Sequence, residues 1–265
     1  MLTMGSLFDG IGGFPLAAVR AGIMPVWASE IEAFPIQVTK HHFPGMIHVG
    51  DITQLNGANL PPVDIICGGS PCQDLSCAGA RAGLSGSRSG LFMDQIRIIK
   101  EMRNADKKYG RTGVFVRPRF AVWENVPGCL SSGRDPKTGR KKPGSDFRRV
   151  LEAFLQIEEP ELHVVRPENG RWKYSGAILG DRSSLAWVRW NAEYLGVPQR
   201  RRRIFLVADF AGERPIQILF EQDGLPGYPA EGEGTRQGIT APAGTGTEGP
   251  GWIDSGRGSH ASTGE

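Results

Sequence analysis

The chain has 265 residues, with 31 Lys and Arg against 28 Asp and Glu and a net charge of +3. That length is enough for one large buried core. The near-balanced charge excludes a protein held on nucleic acid or membrane by bulk electrostatics alone, and four scattered cysteines exclude a disulfide scaffold.

Taken in chain order, residues 1–8 (MLTMGSLF) read as a short apolar strand that runs into DGIGG. Residues 14–21 read as a helix stopped by Gly22. IMPVWASE is a second strand ending in Glu30, followed by a helix beyond Pro35, where a first-turn proline is tolerated. MIHVGD is a third strand ending in Asp51, and VDIICGG a fourth. In 91–103, Phe92, Ile96 and Ile99 share a helical face. RFAVWENV is a fifth strand that presents Glu124 at its end. Residues 146–156 place Phe147, Val150, Leu151, Phe154 and Leu155 on one face, with Asp146 as N-cap. LAWVRWNAEYLG is mixed, and RIFLVADF is a last strong strand.

Strands alternating with helices predict an α/β fold with a mostly parallel sheet and helices on both faces. Ligands of such sheets bind beyond the carboxyl ends of the strands. The polar and glycine-rich residues gather at those ends. Residues 221–265 hold 12 Gly and 4 Pro, a low-complexity composition. The chain therefore divides into a globular unit, 1–222, and a tail, 223–265, expected to be disordered when alone.

The N-terminus lacks a charged segment leading into an apolar core, so no signal peptide is read. No run approaches the roughly 20 apolar residues that span a bilayer. Cysteine usage points to a reducing, cytoplasmic compartment. Cys67, Cys72 and Cys77 fit no zinc spacing, the five histidines form no metal or Ser/His/Asp set, and no metal is expected.

Four motifs carry chemistry. LFDGIGG lies between a strand and a helix, where glycines let a ligand approach the backbone. Glu30 follows Gly10 by 20 residues, the place of an acid that accepts from ribose hydroxyls. The pair suggests an adenosine-containing cofactor, the bland alternative being a tight turn and a surface glutamate. GGSPCQ presents Cys72 on a stiff turn, suited to a nucleophile, whereas Cys67, inside the strand, suits an inert buried thiol. WENV sets Glu124 and Asn125 at a strand end, either as an acid for a ring nitrogen or as a cap of the next turn. PQRRRRIFLV sets four arginines against an apolar strand. Alternation points Arg201 and Arg203 one way and Arg200 and Arg202 the other, unless the run is merely solvated.

Together these motifs, with SGLF at 89–92, resemble the DNA (cytosine-5) methyltransferases, in family order from residue 5 to about 210. The resemblance implies a Rossmann-like S-adenosylmethionine-dependent methyltransferase fold. It implies S-adenosyl-L-methionine as donor and cytosine in duplex DNA as acceptor, in a restriction-modification or phage setting. Phe8, Gly10 and Gly12 would then pack on the cofactor, Glu30 would hold its ribose, Asp51 its adenine edge, and Leu91 would line the pocket. Cys72 would add to cytosine carbon 6, Glu124 would serve ring nitrogen 3, Arg203 the carbonyl oxygen, and Arg201 would orient Glu124. The base must leave the duplex stack to reach the thiol, and the loop at 78–90 is expected to move when DNA binds. The basic stretch 134–142, with Lys141 and Lys142, is placed to grip phosphates.

Family members continue past the arginine motif with a target-recognition region and two further motifs, which residues 211–265 do not display. The chain is accordingly read as a shortened product, half of a split enzyme, or an incomplete gene, with a partner chain as one source of the rest. Two other readings stay open: a relative acting on RNA cytosine, and a cofactor-binding chain active only with a partner.

Overall fold

The computed structural model describes residues 1–71, 90–134 and 138–220. The strands are β1 (Thr3–Leu7), β2 (Met24–Ser29), β3 (Ile47–His48), β4 (Ile65–Gly68), β5 (Phe120–Asn125), β6 (Ser175–Leu179), β7 (Ser184–Asn191) and β8 (Arg202–Asp209). The helices are α1 (Gly13–Arg20), α2 (Ala33–His42), α3 (Gly90–Lys108), α4 (Ser145–Leu155) and α5 (Pro215–Phe220).

One sheet of order β3-β2-β1-β4-β5-β8-β7-β6 organises them. The five strands from β3 to β5 run parallel. β8 is antiparallel to β5 and β7, and β6 is antiparallel to β7. The strand order turns at β1: the chain moves outward to β2 and β3, then returns to lay β4 on the other side. In an open α/β sheet a crevice forms at such a turning point, beyond the strand ends.

Alternation along the strands sorts the core into two faces. Leu7, Ile66, Ala121, Trp123, Leu185, Trp187, Ile204 and Leu206 face α3 and α4 in the main core. Met4 and Cys67 face α1, and Ala186 and Val207 face α5. An aromatic group joins helices to sheet: Phe92 meets Trp123 and Phe154 edge-on at 6.2 and 5.9 Å. Phe147 meets Trp187 at 5.4 Å and Trp172 at 5.5 Å, distances at which offset and edge-on rings attract. Because Trp123 is locked in this group, the residues that follow it on β5 are held in place.

At the opposite end from the crevice, buried charges tie elements together. Arg103 is 2% exposed and donates to Glu158 at 2.8 Å. Asp209, 0% exposed, receives both Nε and Nη2 of Arg119, at 3.0 and 2.9 Å.

Several expectations are corrected. The third strand is two residues long and stops before Asp51. Asp51 instead caps the turn Ile52–Gln54, its carboxylate accepting from the Thr53 N–H. Gly144, in the left-handed region, occupies the N-cap of α4, while Asp146 lies buried within the first turn. The β6–β7 hairpin and α5 went unread. The loop 78–89, the tail from 223 and its boundary at 222 lie outside the described residues.

Candidate functional site

At the carboxyl end of β1, the chain makes a tight turn into α1. Phe8, Gly10 and Gly12 all have positive φ, of 54°, 56° and 87°. Phe8 accepts the strain that a side chain meets there, and its half-buried ring packs against the main core. At Gly12 a Cβ would also lie 2.9 Å from Thr39 and Phe43 side-chain atoms, so α2 closes on the turn and only glycine fits. In front of Gly10 and Gly50 the space is open.

Glu30 follows β2 directly. Its Oε2 accepts from the Gly10 N–H at 2.8 Å, and its Oε1 accepts from the Ile31 and Glu32 N–H groups at 2.8 and 3.0 Å. The two motifs that the sequence separates by 20 residues are therefore joined by a hydrogen bond. Asp51 stands beyond β3 on the same side of the sheet. Leu91 lies in the first turn of α3, half-buried against the core.

A second group lies beyond β4 and β5. Ser70 is buried; its hydroxyl oxygen accepts from Trp123 Nε1 at 3.3 Å and its carbonyl from Asn125 Nδ2 at 3.0 Å. Gly69 lies against Glu124: a Cβ there would come within 3.0 Å of Oε2, so the glycine is needed for close approach. Glu124 Oε1 pairs with Arg203 Nε at 2.8 Å. Strand register explains this choice of arginine. Phe205 lies opposite Glu124, so Arg203, two residues away on the same face, sits on the diagonal within reach of a long side chain. Arg201 precedes the strand and is exposed. The guanidinium on Glu124 is thus that of Arg203, where the sequence assigned the orienting role to Arg201.

Cys72 is two residues past Ser70 and lies outside the described residues, as does Cys77. The thiol of Cys67 is buried in β4, and burial followed by the charge of Asp9 pushes it up to about 12. It holds its proton at neutral pH, as expected of an inert core cysteine. Cys129, read as incidental in a loop, is fully buried in the main core.

The sequence reading placed Asp9 and Ser70 among the polar residues at the strand ends without giving them a role, and passed over Gln95. Ser70 anchors the segment that leads to Cys72. Asp9 is 5% exposed beside Glu30. Gln95 on α3 is fully buried against Gly68, and neither amide atom has a hydrogen-bond partner among the described residues. A buried polar residue inside an apolar helical face was the available signal for Gln95. Among the described residues no helix is long and apolar enough to cross a membrane.

Comparisons with known proteins give the family. Residues 2–144 match the family model of C-5 cytosine-specific DNA methylases. The chain is 40% identical over 211 residues to the type II methyltransferase M.HhaI of Haemophilus parahaemolyticus, covering 80% of this chain and 50% of that protein. It is 33% identical over 246 residues to a protein of Escherichia phage P1 named DNA N-6-adenine-methyltransferase, covering 84% of this chain and 31% of that one. The chain thus spans about a third to a half of these curated relatives. Among solved structures, a chain named as a DNA modification methyltransferase of an E. coli prophage superposes with a TM-score of 0.50 at 26% identity, over 79% of this chain and 47% of that one. The S. pombe Dnmt2 methyltransferase, at 16% identity, shares the fold with a TM-score of 0.52 over 86% and 57%. The fold is the Rossmann-like one of S-adenosylmethionine-dependent methyltransferases, and the chain belongs to the family of C-5 cytosine-specific DNA methylases.

Proposed function

We propose that this chain carries the catalytic half of a DNA methyltransferase that transfers a methyl group from S-adenosyl-L-methionine to carbon 5 of cytosine in duplex DNA. The observation that carries the reading is the Glu124–Arg203 pair set against Gly69 and Ser70. A carboxylate and a guanidinium stand together where the chain leads into Cys72.

The crevice at β1 and β2 suits the donor. Glu30 is fixed by Gly10 with lone pairs to spare for ribose hydroxyls. Asp51 stands at the adenine edge, and Phe8, Leu91 and the exposed Ile31 supply apolar walls. Open space in front of Gly10 lets a ligand meet the backbone. When bound, the donor supplies an electrophilic methyl group.

Carbon 5 of cytosine is a weak nucleophile. In this reading the Cys72 thiolate adds to carbon 6, and the electron pair of the 5,6 double bond becomes available at carbon 5. Glu124 supports the charge that develops at ring nitrogen 3 by a hydrogen bond or proton. Arg203 holds Glu124 in place and donates to the carbonyl oxygen, and Arg201 adds positive charge at the rim. After methylation a base takes the carbon 5 proton, and Cys72 leaves as thiolate. The target base is flipped out of the duplex to reach this group, at a cost of roughly a few kcal/mol.

The phage relative's name favours a second reading, methylation of adenine N6. The matched stretch is 31% of that protein. An exocyclic amine attacks with its own lone pair and has no use for an added thiol. Cys72 and the Glu124–Arg203 pair are without a task in that chemistry. Nucleoside analysis of DNA treated with the chain and labelled donor decides the matter: 5-methylcytosine supports the proposal, and N6-methyladenine alone overturns it.

A further inference from the structure

The two edges of the sheet end differently. β3 closes one edge with two residues. β6 closes the other with five, SGAIL, in unbroken register with β7 and paired with no other strand among the described residues. Natural edges are guarded by shortness, charges, prolines or bulges. β6 carries no charge, no proline and no bulge.

The ladder fixes which backbone groups face outward. The Arg189 N–H donates to the Tyr174 carbonyl at 2.7 Å, and the Gly180 N–H to the Ser183 carbonyl at 2.8 Å. Bonded and non-bonded pairs alternate in an antiparallel ladder, so Gly176 and Ile178 also turn their N–H and C=O groups toward β7. Ser175, Ala177 and Leu179 turn theirs away from the sheet. Ala177, at the centre, is the exposed residue of the strand.

We propose that this edge pairs with β6 of a second copy of the chain, antiparallel, about a two-fold axis at Ala177. In that register the outward residues meet one another. Ala177 faces Ala177, and Ser175 faces Leu179 on either side, which forms about six hydrogen bonds. The side chains match as well. Ile178 falls opposite Gly176, where the Trp187 ring takes the place of a side chain. Tyr174, 56% exposed with the Arg189 guanidinium 3.4 Å from its ring centre, falls opposite Gly180. Beyond the strand, Lys173 falls opposite Asp181 at both ends. Both are exposed, and neither forms an ion pair among the described residues. A parallel pairing or a slip of two residues loses this charge match. The axis stands perpendicular to the sheet. The carboxyl ends of the parallel strands therefore point in opposite directions in the two copies, and both crevices stay open.

Sedimentation equilibrium of the 265-residue chain tests this from about 1 to about 200 µM, the range of small, reversible interfaces. The parent should pass from monomer to dimer as concentration rises. Ala177→Lys and Ala177→Glu each set like charges face to face at the axis, and each should weaken association tenfold or more. Mixed in equal amounts they should associate at least as well as the parent, since Lys then faces Glu. Each should keep the urea midpoint of the parent, because residue 177 is exposed and its backbone takes no part in the β6–β7 bonds. Lys173→Asp should also dissociate the pair, and Lys173→Asp combined with Asp181→Lys should restore it. A parent that stays monomeric throughout the range overturns the inference, including one in which residues 221–265 of the same chain cover the edge. A dimer that survives both Ala177 variants overturns it too, as does a mixture of the two that stays monomeric.

Discussion

Arg203 Nε stands 2.8 Å from Glu124 Oε1, and the contact follows from the antiparallel register of β5 and β8. Two motifs nearly 80 residues apart in sequence become one unit because Phe205 is paired with Glu124. Both partners are about a quarter exposed, so the pair contributes little to folding and is available to a ligand. Glu124→Gln should lower the methylation rate 10²–10⁴-fold, the usual worth of a positioned acid. Its unfolding free energy should stay within about 1 kcal/mol of the parent. Arg203→Lys keeps the charge and loses the planar fork, and its rate should also fall. Single-turnover methylation with urea melts of the same samples checks both statements.

Asn125 holds the Ser70 carbonyl from a buried position. Asn125→Ala leaves that carbonyl without its donor, a loss of about 1–3 kcal/mol. The rate should fall further than stability alone explains, since Ser70 lies two residues from Cys72. Comparing rates at a temperature where both proteins are folded separates the two effects.

Phe147 touches Trp123, Trp172 and Trp187. Phe147→Ala should cost about 3–5 kcal/mol, read as an earlier urea midpoint with an unchanged slope.

Asp9 gives stability an unusual pH dependence. Its carboxyl is raised from 3.8 to about 6. Its contribution is therefore fully present below about pH 4 and lost as pH rises past 6, on the order of 2–3 kcal/mol. Glu158 acts in the opposite sense. Burial raises its carboxyl, but Lys107 and Arg103 outweigh burial and hold it below 4.5. That contribution is present above pH 4.5 and lost as pH falls. Urea melts of the parent and Asp9→Asn isolate the first effect: the stability gap in favour of the variant should open between about pH 4 and pH 6.

Lys141 forms an isolated antiparallel bridge with Arg134, and Lys142 follows it. If each meets a phosphate, replacing both with Ala should reduce the slope of log K against log salt by about 2. Fluorescence titration of duplex DNA at four salt concentrations measures it, and an unchanged slope excludes the role.

The central strands and the four long helices were legible because their apolar periods are strong: Leu151 and Phe154 face the core as spacing demands. Short or half-exposed elements were not. β3 pairs through Trp27 and Ala28 alone, too little to mark six residues as strand. β6 has no buried residue, so its pattern is weak, and its Gly180–Asp181 turn was the available sign. Within the site, motif residues were legible by type and place, but their partners were not. Choosing Arg203 over Arg201 for Glu124 requires strand register. Asp9 reads as one polar residue in a glycine turn, and its burial follows from the fold alone.

The most direct test of the account is covalent capture. The chain is mixed with S-adenosylmethionine and duplex DNA carrying 5-fluorocytosine, in which the fluorine blocks loss of the carbon 5 substituent. The account predicts a denaturant-resistant protein–DNA adduct whose mass includes the transferred methyl group, with the peptide around Cys72 modified and no adduct from Cys72→Ser. A chain that methylates DNA yet forms no such adduct, or forms it equally well as Cys72→Ser, contradicts it.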